Sequence, residues 1–283
     1  MNFKISVLLV FISPLVNAQQ DSHPEFFIPN TAFNVGEILK YDLKYGVIKG
    51  GEATLEVDLV PVGYSYTYHF KTKLVTTGMA EKLAIVIDIY ESYVEVENKL
   101  PIKAIRNVKE NNYISYNEAI FDRENKRIIS IKSGIIDSIP DNLMDIVSVF
   151  YYARNALFKY GKEQKIIPMY LYFDEEIYPL NIHYIKNDII RTQFGRIETL
   201  LFMPVVEKGS VFTNENELKI WISNDQNYLP LKIWAKLPIG TLKIELIGFE
   251  QLRNTLFTLK EIKKEKKDKK RRLLRKKEKN ETE

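Results

Sequence analysis

The chain of 283 residues has no cysteine, three histidines and two tryptophans. Without cysteine no disulfide can staple the fold, and no lipid-carrying cysteine follows the apolar N-terminal segment. His23, His69 and His183 occur in no His-x-x-x-His or His-Glu-x-x-His spacing, so a histidine metal centre has no motif to build on. No Gly-x-Ser-x-Gly elbow occurs, and neither Gly-x-x-x-x-Gly-Lys-Ser/Thr nor Gly-x-Gly-x-x-Gly appears. No metal or cofactor is expected on these grounds.

Apolar runs are also short. Within MNFKISVLLVFISPLVNA (residues 1 to 18) the run from Ile5 to Val16 falls below the roughly 20 residues of a spanning helix and contains Pro14. Lys4, the apolar run and the small-residue ending Val16-Asn17-Ala18 fit a cleavable export signal. The expected product is periplasmic or outer-membrane associated and not a lipoprotein. A linker (19 to 32) and one β-rich domain (33 to 259) should follow.

Charge is concentrated at the C-terminus, where residues 260 to 283 hold 13 Lys+Arg and 6 Asp+Glu. The intervening body, residues 19 to 259, holds 27 cations and 31 anions, so its mild acidity argues against nucleic acid as a partner. The basic tail lacks sustained apolar periodicity and is suited to attracting an anionic membrane surface.

The stretch YDLKYGVIKGGEATLEVDLV (41 to 60) sets the fold class. Leu39, Tyr41, Leu43, Tyr45 and Val47 alternate with polar residues, and so do Ala53, Leu55, Val57 and Leu59, the period of half-buried strands. Facing apolar with apolar predicts a hairpin with 47 opposite 53, 45 opposite 55 and 43 opposite 57, turning at Lys49-Gly50-Gly51. A third strand holds Tyr64, Tyr66, Tyr68 and Phe70. Three more, around Ile220, Ile233 and Ile244, read as a meander, and further strands are expected over 87–96, 101–107, 112–121, 126–131, 165–173, 179–186, 189–193 and 197–203. A single stripe of Leu143, Ile146, Val147, Phe150 and Leu157 predicts a helix over 141–158, and a shorter helix is expected near Met79 to Ala84. The predicted fold is mainly β: a large curved antiparallel sheet, a half-barrel or two continuous β-halves, around one central helix.

Three ordered segments carry a family resemblance. Gly36, Glu37, Leu39 and Tyr41 form a Gly-Glu-x-Leu-x-Tyr opening, Asp145 to Arg154 an Asp-Val-Leu-Ser-x-Phe-Tyr-Tyr-x-Arg-like helix, and Trp221, Ser223 and Asp225 a Trp-x-Ser-x-Asp segment ahead of Pro230. Over residues 33 to 250 the chain resembles the domain of unknown function 3108 family, which implies an exported, largely β envelope protein and supplies no activity. The family often has two acids after the serine; Asn224-Asp225 stands here, which weakens an acid or metal role. By pattern alone the chain is also similar to the lipoprotein carrier LolA, whose curved sheet wraps helices around an apolar cavity.

Three sets of side chains are candidates for function. Arg154, at the end of the aromatic helix, either pairs with a carboxylate as the fold requires or grips an anionic head group, with Tyr151 of the same helix as a further ligand candidate. Trp221 and Trp234, on adjacent strands, either form a sugar or lipid platform or are covered by other elements. Asp174, Glu175 and Glu176, with Asp225, offer the carboxylates of a glycan hydrolase, or else stabilise turns. The favoured expectation is a non-enzymatic protein that binds a lipid or other amphiphile in an apolar cavity of a few hundred Å³ (roughly the lower end of ligand pockets). A glycan hydrolase and an envelope tether are the alternatives.

Overall fold

The computed structural model describes residues 30–160, 166–206, 218–237 and 240–261, with 263, 264 and 267. The expected signal segment, nearly all of the linker and most of the basic tail lie outside the described residues.

The N-terminal half runs β1 (Ile38–Tyr45), β2 (Ile48–Val62), β3 (Ser65–Thr76), α1 (Met79–Leu83), β4 (Val86–Glu95), β5 (Pro101–Glu110), β6 (Tyr113–Asp122), β7 (Arg127–Ser130) and β8 (Gly134–Asp137). The C-terminal half runs β9 (Leu143–Asp145), α2 (Ser148–Tyr160), β10 (Ile166–Phe173), β11 (Glu176–Thr192), β12 (Gly195–Val206), β13 (Leu218–Ser223), β14 (Pro230–Leu237) and β15 (Gly240–Glu250). Each half is a meander, and β1 pairs with β15 to join them into one 15-stranded sheet whose edges are β8 and β9. All neighbours are antiparallel except β9 and β10. The expected large curved antiparallel sheet of two continuous halves is thus the observed fold.

The sheet curls around α2. One face of the helix packs Tyr152, Ala156 and Leu157 against Ile167, Leu180, Phe202 and Ile222 of the C-terminal strands. Tyr151, on the other face, packs with Val57, Phe70 and Val94 of the N-terminal strands, its ring stacked on Phe70 at 4.0 Å. Burial of large apolar side chains stabilises each by about 1.5–3 kcal/mol, so a helix wrapped on both sides holds the two halves around it.

Three local expectations require correction. The first hairpin turns at Gly46-Val47, with Tyr45 opposite Ile48, and its register places Leu39 opposite Leu55 and Tyr41 opposite Ala53. The register has slid by an even number of residues, which keeps the same side chains inside. Gly46 adopts φ +60° as the first turn residue, whereas Gly51 lies within β2, where a Cβ would stand 2.5 Å from the Val75 carbonyl oxygen. The central helix begins at Ser148 and not at 141, because Leu143–Asp145 pairs with β10 and Asp145 Oδ1 caps the helix, accepting from the amides of Val147 (2.8 Å) and Ser148 (3.0 Å). The two strands expected over 179–186 and 189–193 are one continuous strand, β11, which ends at Thr192 and is bulged between Tyr184 and Lys186.

Candidate functional site

The three sequence motifs converge on one buried ion pair. Arg154 and Glu37 are exposed by 1 % and 0 %, with Nη1 to Oε1 at 2.5 Å and Nη2 to Oε2 at 3.0 Å. Arg154 also donates through Nη2 to the Ala32 carbonyl (2.8 Å) and through Nε to the Asn227 carbonyl (3.0 Å). Glu37 comes from the N-terminal motif, Arg154 from the helix and Asn227 from the segment after Trp221, so one guanidinium fork ties together stretches far apart in sequence. Burial works against the Arg154 charge, and Glu37 holds its pKa above the ordinary value. Tyr151 is fully buried beside this pair, and burial pushes its phenol well up. Of the two roles open to Arg154, pairing with a carboxylate is the one observed, and Tyr151 is a core residue beside it: the guanidinium spends its donors on protein oxygens, because a buried charge without partners is not tolerated.

The acidic cluster closes the sheet where the backbone does not. Asp174 and Glu175 are the two central residues of the β10–β11 hairpin, at φ +48° and +70°, as a two-residue turn with both central residues left-handed requires. Their side chains reach across the gap between the sheet edges. Glu175 accepts from Asn117, Ser130 (2.7 Å), Ser133 (2.5 Å) and Tyr172 (3.1 Å), and Asp174 accepts from Arg106 at 3.1 Å. Burial opposes the Glu175 charge, but hydrogen bonds from Ser133, Ser130 and Tyr172 outweigh it and hold the carboxyl below its usual range. At the same seam Arg123 donates to the carbonyls of Pro101 and Leu143, and Ser92 to Asp145 at 2.5 Å.

Asp225 does not join that cluster. It follows the other end of β13, where Oδ1 accepts from Ser223 Oγ (2.8 Å) and the Asn227 amide (2.9 Å) to shape the turn into β14. Burial raises its pKa. Strand directions put Asp174 and Glu175 at one end of the sheet and Asp225 at the other, so the acids expected to share a hydrolytic site are separated. Glu176, the first residue of β11, accepts only from Tyr178 (2.8 Å) among the described side-chain bonds. The cleft at the seam, lined by Tyr90, Arg106, Asn117, Tyr172 and Glu175, has a volume of about 40 Å³. That space suits ordered water; an acyl chain needs roughly ten times as much. Among the described residues, α2 occupies the space inside the curled sheet where an apolar cavity was expected, and the larger groove of about 430 Å³ beside Asn187, Asp188, Glu198, Thr199 and Asn224 is lined mainly by polar side chains.

Among the described residues no group of three or more His, Asp and Glu is placed to hold a metal ion. His69 lies on the outer face, bonded to Glu91 (2.7 Å) and stacked on Tyr93.

Trp221 and Trp234 stand on the outer face of β13 and β14, diagonal to one another. The register sets Trp221 opposite Lys232 and Trp234 opposite Lys219. Each lysine lies over the facing indole, at 5.5 Å for Lys232 on Trp221 and 5.4 Å for Lys219 on Trp234. Trp221 also donates to Asp188 at 3.0 Å.

At the end of the sheet that carries the β1–β2, β3–β4 and β5–β6 connections, large apolar side chains project into solvent. Val47 is 95 % exposed, Leu83 87 %, Ile114 70 % and Met79 69 %. The three connections form one ledge: Thr77 N donates to Gly50 O (3.2 Å), and Ile85 and Asn111 exchange bonds, Asn111 N to Ile85 O and Ile85 N to Asn111 Oδ1, both 2.8 Å. The rim forms no single pattern in the sequence, because its residues come from the β1–β2 turn (Val47), the short helix α1 (Met79 and Leu83) and the start of β6 (Ile114).

These features define a class, an unclosed β-sheet curled around a buried helix and locked by polar side chains. Residues 40–247 match the family described as Protein of unknown function (DUF3108), and the chain belongs to that family. No curated protein matches the chain. Among solved structures, a beta-barrel-like protein of domain of unknown function DUF1849 from Brucella abortus shares the fold at TM-score 0.56 and 10% identity, over 78% of this chain and 99% of that one. The hypothetical protein CT021 from Chlamydia trachomatis is more distant, with TM-score 0.36 and 11% identity over 80% and 92% of the two chains.

Proposed function

We propose that this is a non-catalytic envelope protein, exported by its N-terminal segment, that binds an amphiphile at the open rim of its sheet. The observation that carries this reading is the ledge of Val47, Met79, Leu83 and Ile114, held solvent-facing at one end of the sheet around three hydrogen-bonded connections. Large apolar side chains exposed together at one end of a fold suit contact with lipid or another apolar partner. The filled interior argues for contact at the rim over uptake into the core. The seam carboxylates, engaged by structural donors and distant from Asp225, give a hydrolase reading no support.

Flotation of the full chain with vesicles of phosphatidylcholine tests the proposal. Wild type is expected to float, and V47S/M79S/L83S/I114S to remain in the dense fraction with an unchanged melting temperature. Equal flotation of both, or of neither, rejects rim binding.

A further inference from the structure

We propose that the outer face beside this rim is a docking surface for a bilayer bearing anionic phosphate head groups. The inference rests on the rim reading and adds the chemistry of the collar behind it. Alternation points Ile220, Leu231, Ile244 and Leu246 to the core, so Lys219, Trp234 and Lys243 face outward. The register then aligns Lys219 with Trp234, Trp234 with Lys243, Lys243 with Lys44, and Lys44 with Lys49. One row across five strands thus contains four lysines and an indole, spaced by roughly 4.8 Å per strand.

Like charges facing one another across a sheet are destabilising, and the fold offsets only part of this row. The next row neutralises part of it: Glu245 pairs with Lys44 (2.7 Å), and Asp42 and Glu52 pair with Lys49 (2.8 and 2.6 Å). Among the described residues, Lys219, Lys243 and the neighbouring Lys236 have no carboxylate within ion-pair distance. Their positive charge is available to a partner. That partner is defined by three features together. Trp221 and Trp234 have the amphipathic rings found at the head-group level of membranes, and the ammonium groups of Lys232 and Lys219 lie over those rings. Lys44 is the last residue but one of β1, and the exposed Val47 stands in the turn just beyond it, so apolar tips at the acyl boundary set the ammonium row at head-group depth.

The test uses the full chain, basic tail included, with vesicles of phosphatidylcholine alone or mixed with phosphatidylglycerol. Wild type is expected to bind the mixed vesicles more tightly, with affinity falling as salt rises. K219Q/K236Q/K243Q is expected to lose about tenfold or more of that gain and to retain wild-type binding to phosphatidylcholine. A triple variant that binds mixed vesicles like wild type overturns the proposal and assigns the anionic preference to the tail. Wild type captured by heparin but indifferent to phosphatidylglycerol overturns it in favour of a soluble polyanion. Loss in the lysine variant without loss in the rim variant leaves the collar standing and removes the rim reading alone.

Discussion

Arg154 Nη1 lies 2.5 Å from Glu37 Oε1, and the second arm of the same fork spans 3.0 Å. The pair is wholly enclosed, and its remaining partners are backbone carbonyls from the N-terminal entry and the β13–β14 connection. The residues that mark the family in sequence therefore mark the point where helix, first strand and last meander are fastened together. These motifs supply the keystone of the fold.

Breaking that fork is expected to be severe. R154M or E37L leaves the other charge buried and uncompensated, and each should cost about 3–5 kcal/mol in urea denaturation. The double variant R154M/E37L should cost less than the sum of the singles, because neither charge is then stranded. Additive losses would remove the coupling assigned to the pair.

Two adjacent glycines should behave differently. A Cβ at Gly51 meets the Val75 carbonyl oxygen at 2.5 Å, so G51A is expected to cost about 1–3 kcal/mol by forcing β2 from β3. At Gly50 the nearest atom is the Ala80 Cβ at 3.9 Å and φ is not positive, so G50A should be neutral or slightly stabilising. Thermal melts of the two variants decide this.

The seam should weaken in acid. The Glu175 carboxyl is held below its ordinary range, so its charged form contributes stability above the unfolded pKa and loses it as pH falls through the folded pKa. The melting temperature of wild type should exceed that of E175Q at pH 7, and the difference should shrink as the solution is acidified below the usual carboxylate range. Hydrogen exchange should report the change first in the β10–β11 hairpin. A difference that stays constant with pH assigns Glu175 no role as a charged latch.

The helix start is equally testable. D145A removes the acceptor for the amides of Val147 and Ser148 and for the Ser92 hydroxyl, and should cost about 1–2 kcal/mol or more. D145N, which keeps the acceptor oxygen, should recover much of that loss. Equal destabilisation by both would show that the cap bonds are not what the site requires.

Much of this was legible in the chain. Period-two alternation placed Leu39, Tyr41, Leu55 and Val57 inside, and the meander of β13, β14 and β15 followed from the same pattern. The pairing of Arg154 with a carboxylate was expected, but its partner was not identifiable, since Glu37 lies 117 positions away. β8 was missed because four residues have too little pattern to stand out. The apolar spacing of Leu143–Asp145 fits a helix, but its parallel pairing with β10 makes it a strand.

The sequence by itself determined which side of the longer strands is apolar, that a central helix lies within 141–158, and that three motifs belong to one family. These are local properties, set by alternation, capping and residue order along a few positions of chain. Only the tertiary structure decided the hairpin register, the partner of Arg154, the separation of Asp174 and Glu175 from Asp225, and the alignment of lysines across five strands. Those depend on which backbone hydrogen bonds are matched between distant segments, and an even slip of register changes every cross-strand neighbour while leaving the local pattern intact.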